Sequence, residues 1–228
     1  PCFRDEDARS DRLYGEFYQL DFEMAFAEEE DVLKLGEYVF RSVFNEFGKT
    51  KLDEAPFVRL SYKESMERFG TDKPDLRNPL EIIDLTDVFE ETTFRPFRGV
   101  TVKGIVVEDI ASKSNSWFNE LVEYAESIGM PGIGYFKVLE DMSFAGPIDK
   151  FLSEEEREDL IDVAKLKPES LIFFIADRKH AYKYASLIRD ELGRKLDLID
   201  KDKLELCIIN DFPMFEWDEE KKKYEFCH

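Results

Sequence analysis

Between residues 16 and 26 the chain alternates: Tyr18, Leu20, Phe22, Met24 and Phe26 fall on one face, and Gln19, Asp21 and Glu23 on the other. A period of two marks a half-buried β-strand, because successive side chains point to opposite faces. Residues 2–6 read as a shorter strand, and the polar stretch 7–15 lets the two pair as an antiparallel hairpin. The period then changes. Val32, Leu33, Val39, Phe40, Val43, Phe44 and Phe47 recur at intervals of three and four and Gly48 follows, which predicts an amphipathic helix and its stop. Ser61 and Glu64 form a capping box at the head of a shorter helix that Gly70 ends, before the turn-rich stretch 71–79.

From about Phe94 the elements become short and alternate in type: a strand over 100–108, a helix over 116–128 and a strand over 134–139. Ser153 and Glu156 make a second capping box that opens an acidic helix, 171–175 is a buried strand, Asp177 caps a helix ending near Gly193, and 204–209 is the last strand. This change divides the chain into a first part at 1–93, an insert at 94–180 and a return at 181–228. No repeat, low-complexity tract or Gly/Ser linker interrupts it, so ordered connections are expected. The mixture is of the α+β class.

Composition narrows the function. Among 228 residues, 52 acidic side chains stand against 32 basic ones, a net charge of −20. Apolar residues make up 43% and aromatics 14%, too much for a disordered acidic tail. The longest apolar run, Leu171 to Ala176, falls far short of the ~20 residues of a membrane helix. Cys2, Cys207 and Cys227 contain no CxxC pair and are odd in number, which supports neither a disulfide framework nor a zinc site and points to a reducing cytoplasmic setting. The chain starts at Pro1 and carries no signal segment, and is read as a piece of a longer protein. So acidic a surface repels polyanions at long range, and any contact with nucleic acid is therefore local.

The sequence contains no GxGxxG, phosphate-loop lysine motif or nucleophile elbow, and two histidines, His180 and His228, cannot form a histidine metal cluster. The hairpin remains. Arg4 and Glu6 share one face of its first strand, and Gln19, Asp21 and Glu23 one face of its second. A guanidinium on a rigid strand suits a phosphate oxygen, and nearby carboxylates accept hydrogen bonds from an ammonium or amine. Periodicity alone leaves this reading open beside a solvated sheet face.

The segment PCFRDEDARSDRLYGEFYQLDFEMAF, residues 1–26, resembles motif 2 of class II aminoacyl-tRNA synthetases in the form used by bacterial aspartyl-tRNA synthetases. The resemblance continues in RLSYKESMERFGTDKPDLR at 59–77 and NDFPMFEWDEE at 210–220. Between them, roughly Phe97 to Lys179, the chain resembles the GAD-type insertion module of those enzymes, shared with a tRNA-dependent amidotransferase subunit. The resemblance implies an antiparallel-sheet class II core fragment with an inserted α+β module. It also implies activation of L-aspartate by ATP and transfer to the aspartate tRNA, with the asparagine tRNA left open. A noncatalytic tRNA-facing or interaction module is the alternative.

By the same resemblance, Arg4 grips the α-phosphate of ATP, Asp5 and Glu6 complete the ATP contacts with Glu6 near the adenine amino group, and Gln19 and Asp21 hold the amino acid, Asp21 at its ammonium. Arg9 and Arg12 are available to the tRNA acceptor end, and His228 resembles the first residue of a His-x-Pro-Phe segment beside the substrate. Leu13, Tyr14 and Gly15 replace a Gln-Pro pair of the family, so an ATP-contacting glutamine is missing. The resemblance further implies that the anticodon-binding barrel, the motif 1 helix of a homodimer, the magnesium ligands and motif 3 lie outside these residues, and that this piece alone is inactive. The insert, with Glu154, Glu155, Glu156 and Glu158 on one helix, is expected to fold compactly and not to bind RNA tightly by itself.

Overall fold

A computed structural model describes residues 1–3, 15–108, 110, 113–218 and 221–226. The chain forms two compact units, Pro1–Glu54 and Ala55–His228. In the first, β1 (Cys2–Phe3) and β2 (Glu16–Phe17) pair antiparallel, with Cys2 opposite Phe17 and Phe3 opposite Glu16. The hairpin expected from the sequence is therefore present at its base. The expected strand over 16–26 is not: beyond Phe17 no described residue of the run joins a ladder, because alternation fixes which way side chains point but supplies no partner for the backbone. Of the strand expected over 2–6, residues 4–6 lie outside the described residues. The amphipathic helix is α1 (Glu29–Phe47), whose first turn carries Glu29, Glu30 and Asp31 at the positive end of its dipole. Gly48 ends it in an extended conformation, φ −73°, so the stop is not the left-handed turn that glycine commonly supplies.

The second unit opens with β3 (Val58–Ser61) and α2 (Tyr62–Phe69). Ser61 Oγ accepts from the Glu64 N–H at 3.1 Å, and the Glu64 carboxylate accepts from the Ser61 N–H at 2.9 Å. Gly70 closes the helix at φ +70°, a left-handed position where a side chain is strained. There follow β4 (Ile83–Asp84), β5 (Thr101–Val107), α3 (Asn115–Ser127), β6 (Gly134–Val138), β7 (Phe144–Ala145), α4 (Glu154–Val163), β8 (Leu171–Asp177) and α5 (Ala181–Lys195). The strands form one antiparallel sheet in the order β4-β5-β8-β6-β7. Its centre is the seven-residue ladder from Thr101 opposite Asp177 to Val107 opposite Leu171.

Both faces of that sheet are covered. Ile105, Val107, Leu171, Phe173 and Ile175 pack with Phe118 and Leu121 of α3 and Ala185, Ile188 and Leu192 of α5. The alternate residues Val102, Ile172 and Phe174 pack with Phe89, Phe97 and Leu160 on the other side. Double coverage explains why β8 reads as an uninterrupted apolar run rather than an alternation. Asp177 is the last residue of β8 rather than the cap of α5: its carboxylate accepts the N–H groups of Lys179 and His180 at 2.8 and 2.7 Å, and the helix begins at Ala181.

After α5, β9 (Cys207–Asn210) pairs parallel with β3, Val58 opposite Cys207 through Ser61 opposite Asn210. It is not the last strand. β10 (Phe215–Asp218) and β11 (Lys223–Phe226) follow as a hairpin with Phe215 opposite Phe226 and Trp217 opposite Tyr224. The many charges among these residues hide the aromatic alternation that marks them.

One buried cation fastens the stretch 71–82 to α5. Arg189 is fully buried and donates to the carbonyls of Leu80 at 2.5 Å, Asn78 at 2.7 Å and Asp75 at 2.9 Å, while its guanidinium lies 4.8 Å from the Phe69 ring. Asn78 Nδ2 donates back to the Arg189 carbonyl at 3.0 Å, and Gly193 leaves room for that amide. Burial lowers the Arg189 pKa, yet a guanidinium keeps its charge because its starting value is so high. Arg189→Met should cost at least about 3 kcal/mol in urea unfolding, since the carbonyls of buried Asn78 and Leu80 and of half-buried Asp75 lose their donor. A second expectation concerns acid. The Arg77 guanidinium bonded to Asp75 at 2.7 Å holds the Asp75 carboxyl below its ordinary value. That stabilisation is present above pH ~3.9 and lost as pH falls through the lower folded value, so Asp75→Asn should flatten the acid limb of a stability-against-pH curve.

Candidate active site

The first segment that the sequence singles out lies in the smaller unit. Arg4, Asp5, Glu6, Arg9 and Arg12 lie outside the described residues, as do Leu13 and Tyr14 of the departure at 13–15 and His228. Gln19, Asp21 and Glu23 are described and exposed. They lie on the run that leaves β2, and although no ladder continues there, the sequence alternation survives as geometry. Leu20, Phe22 and Met24 line a groove of about 580 Å³ against Val32, Val39 and Phe40 of α1, and Gln19, Asp21 and Glu23 are not among its lining residues. The apolar positions are thus drawn to the helix and the polar ones are left free for solvent or substrate. No residue of α1 is buried, and Leu20 remains 70% exposed, so this groove is open.

The other two singled-out segments, 59–77 and 210–220, meet in the larger unit although they are far apart in sequence. Pairing of β3 with β9 sets Ser61 opposite Asn210. The rings of Tyr62 and Phe212 are then 5.0 Å apart, and the Tyr62 hydroxyl donates to Glu216 Oε1 at 3.4 Å. A cleft of about 550 Å³ lies between them, lined by Tyr62, Met66, Thr71, Asp72, Phe212 and Glu216. Lys73 Nζ contacts the Asp72 carboxylate at 2.6 Å. Sequence reasoning gave Tyr62, Asp72 and Glu216 no role, and their only signal was membership of the two segments. Chemically the cleft offers two carboxylates, a phenol and an aromatic wall, suited to polar groups with hydrogen to donate. His180, exposed and with its ring 5.8 Å from that of Tyr184, belongs to neither place.

The sequence model for tRNA synthetases class II (D, K and N) matches residues 1–227. The chain belongs to that family. Among curated proteins it is 44% identical over 234 aligned residues to an aspartate–tRNA(Asp/Asn) ligase of Rickettsia bellii, with all of this chain and 39% of the relative covered. The corresponding ligase of Rickettsia felis is also 44% identical, and that of Ehrlichia chaffeensis 42%, with 39% and 40% of their lengths covered. The chain therefore spans about two-fifths of these class II synthetases.

Class II synthetases use ATP and typically Mg2+. Among the described residues no group of three or more His, Cys, Asp or Glu side chains is arranged to hold a metal ion. No helix of the described residues is long and apolar enough to cross a membrane. Gln19 and Asp21 are exposed, so neither is expected to contribute much to folding. Gln19→Ala and Asp21→Asn should each change unfolding free energy by no more than about 0.5 kcal/mol, which thermal and urea melts of this chain would measure.

Proposed function

We propose that this chain is the motif 2 part of an aspartate–tRNA ligase, acting in the cytoplasm on L-aspartate, ATP and tRNA, with an inserted module at 94–180. The carrying observation is that aspartate–tRNA(Asp/Asn) ligases match it from end to end at 42–44% identity. The names of these relatives support both the aspartate and the asparagine tRNA as acceptors. They do not favour a noncatalytic interaction module.

In this reading a substrate carboxylate oxygen attacks the α-phosphorus of ATP, the bond to the bridging oxygen breaks, and pyrophosphate leaves. Arg4 holds the α-phosphate, where a fixed positive charge stabilises the negative charge that grows during displacement without reorganising at that moment. Asp5 and Glu6 seat the nucleotide, with Glu6 accepting from the adenine amino group. Asp21 accepts from the substrate ammonium and Gln19 helps orient it. Arg9 and Arg12 meet the acceptor end of tRNA, whose terminal ribose hydroxyl then attacks the acyl carbon and releases AMP. His228 is assigned to recognition of the aspartate substrate. Magnesium and the homodimer contact are assigned to no residue of this chain.

The test is aspartate-dependent exchange of pyrophosphate into ATP. The intact ligase should support it and this chain alone should not, since groups that act as one catalytic unit do not retain proportional activity when separated. In the intact enzyme Arg4→Ala should raise the adenylation barrier by about 2.7–4 kcal/mol, the usual loss for one preorganised donor. An unaltered exchange rate would remove Arg4 from the site, and charging of neither the aspartate nor the asparagine tRNA would sink the functional reading.

A further inference from the structure

In a chain with 20 surplus negative charges, most basic side chains among the described residues pair with an acid. Arg68 pairs with Glu81, Arg77 with Asp75, Arg157 with Asp149, Lys167 with Glu108, Arg194 with Glu191 and Lys195 with Glu120. Arg95, Arg98, Arg178 and Lys179 are among those that do not: all four are exposed and none makes an ion pair among the described residues. They come from two stretches about 80 residues apart. The β5–β8 register brings the stretches together by setting Thr101 opposite Asp177, so that Arg178 lines one groove of about 630 Å³ with Gly99, Val100 and Thr101. Arg98 adjoins that groove through Gly99, and the turn in which the Arg98 N–H donates to the Arg95 carbonyl at 3.4 Å carries Arg95 beside it. Lys183, also exposed and without an ion pair among the described residues, follows on the first turn of α5.

We propose that this basic rim touches the sugar-phosphate backbone of the tRNA, a site distinct from the acceptor-end residues Arg9 and Arg12; this rests on the reading of the chain as part of a tRNA ligase. Asp87 and Glu90 line the same groove, and the Asp177 carboxylate is engaged by the backbone of Lys179 and His180. Those acids oppose entry of a phosphate into the groove, so the polyanion lies across the rim. The interaction is sequence-independent, because guanidinium and ammonium groups that meet only phosphates carry no base information. It also fits the expectation that the excised module binds RNA poorly: a few phosphate contacts on an acidic body add to an interaction held elsewhere but do not create one.

The experiment compares the intact enzyme with a variant carrying Arg95→Gln, Arg98→Gln, Arg178→Gln and Lys179→Gln. Binding of fluorescently labelled aspartate tRNA is followed by anisotropy over a range of KCl, with aspartate-dependent pyrophosphate exchange measured alongside. The expected result is a Kd about tenfold weaker at low salt, a log Kd against log salt slope shallower by about one for each phosphate no longer neutralised, and unchanged exchange. An unchanged Kd and salt slope would overturn the rim while leaving the ligase reading intact. Wild-type enzyme that binds tRNA through the rim but performs no exchange would sink the ligase reading alone. Wild-type binding to phosphatidylserine vesicles that the variant loses, with tRNA binding unchanged, would overturn RNA as the partner.

Discussion

The ladder between β5 and β8 is the constraint on which the larger unit depends. Seven residue pairs run from Thr101–Asp177 to Val107–Leu171, and both strands are covered on both faces. A sheet in this position must satisfy all its backbone groups internally, because water reaches neither face. It can tolerate a polar side chain only where a partner is supplied, and Lys103 shows the condition: its Nζ lies 2.7 Å from Asp84 Oδ2 and 4.0 Å from the centre of the Tyr182 ring. The same ladder decides what meets at the sheet's ends. A shift by one residue would turn the apolar set of either strand to the wrong layer, and it would also part the stretches that carry Arg98 and Arg178.

Arg189 extends that order beyond the sheet. Through the carbonyls of Asp75, Asn78 and Leu80 it holds the stretch that follows α2, and Ser65 Oγ adds a bond to the Thr71 carbonyl at 2.7 Å. Thr71 and Asp72 line the cleft shared with Phe212 and Glu216. The segments that match other class II synthetases on either side of the sheet are therefore not simply tethered to it. The side chains of α5 fix one of them, and pairing of β3 with β9 fixes the other.

The smaller unit depends on a weaker device. Its hairpin base has two residue pairs, and its helix buries no side chain, so amphipathic patterning operates there without closure. What it does achieve is sorting: Leu20, Phe22 and Met24 turn to the groove beside α1, and Gln19 and Asp21 stay exposed. The sorting keeps the polar groups at the surface even though the unit buries little.

The sequence alone determined what is local. Capping at Ser61 and Ser153, the left-handed stop at Gly70, the apolar run of β8 and the two faces of residues 18–24 depend on neighbours within a few positions, and each is legible in the pattern. Resemblance in three segments likewise pointed to the synthetase family, because family motifs are strings of residues. Tertiary structure decided what depends on partners distant in sequence. Whether the alternating run after Phe17 has a ladder, which strand receives β9, why Arg189 tolerates burial, and that Tyr62 faces Glu216 or Arg98 adjoins the groove of Arg178 are all set by pairing register and packing. A periodicity fixes the direction of a side chain; only the folded chain fixes what it meets.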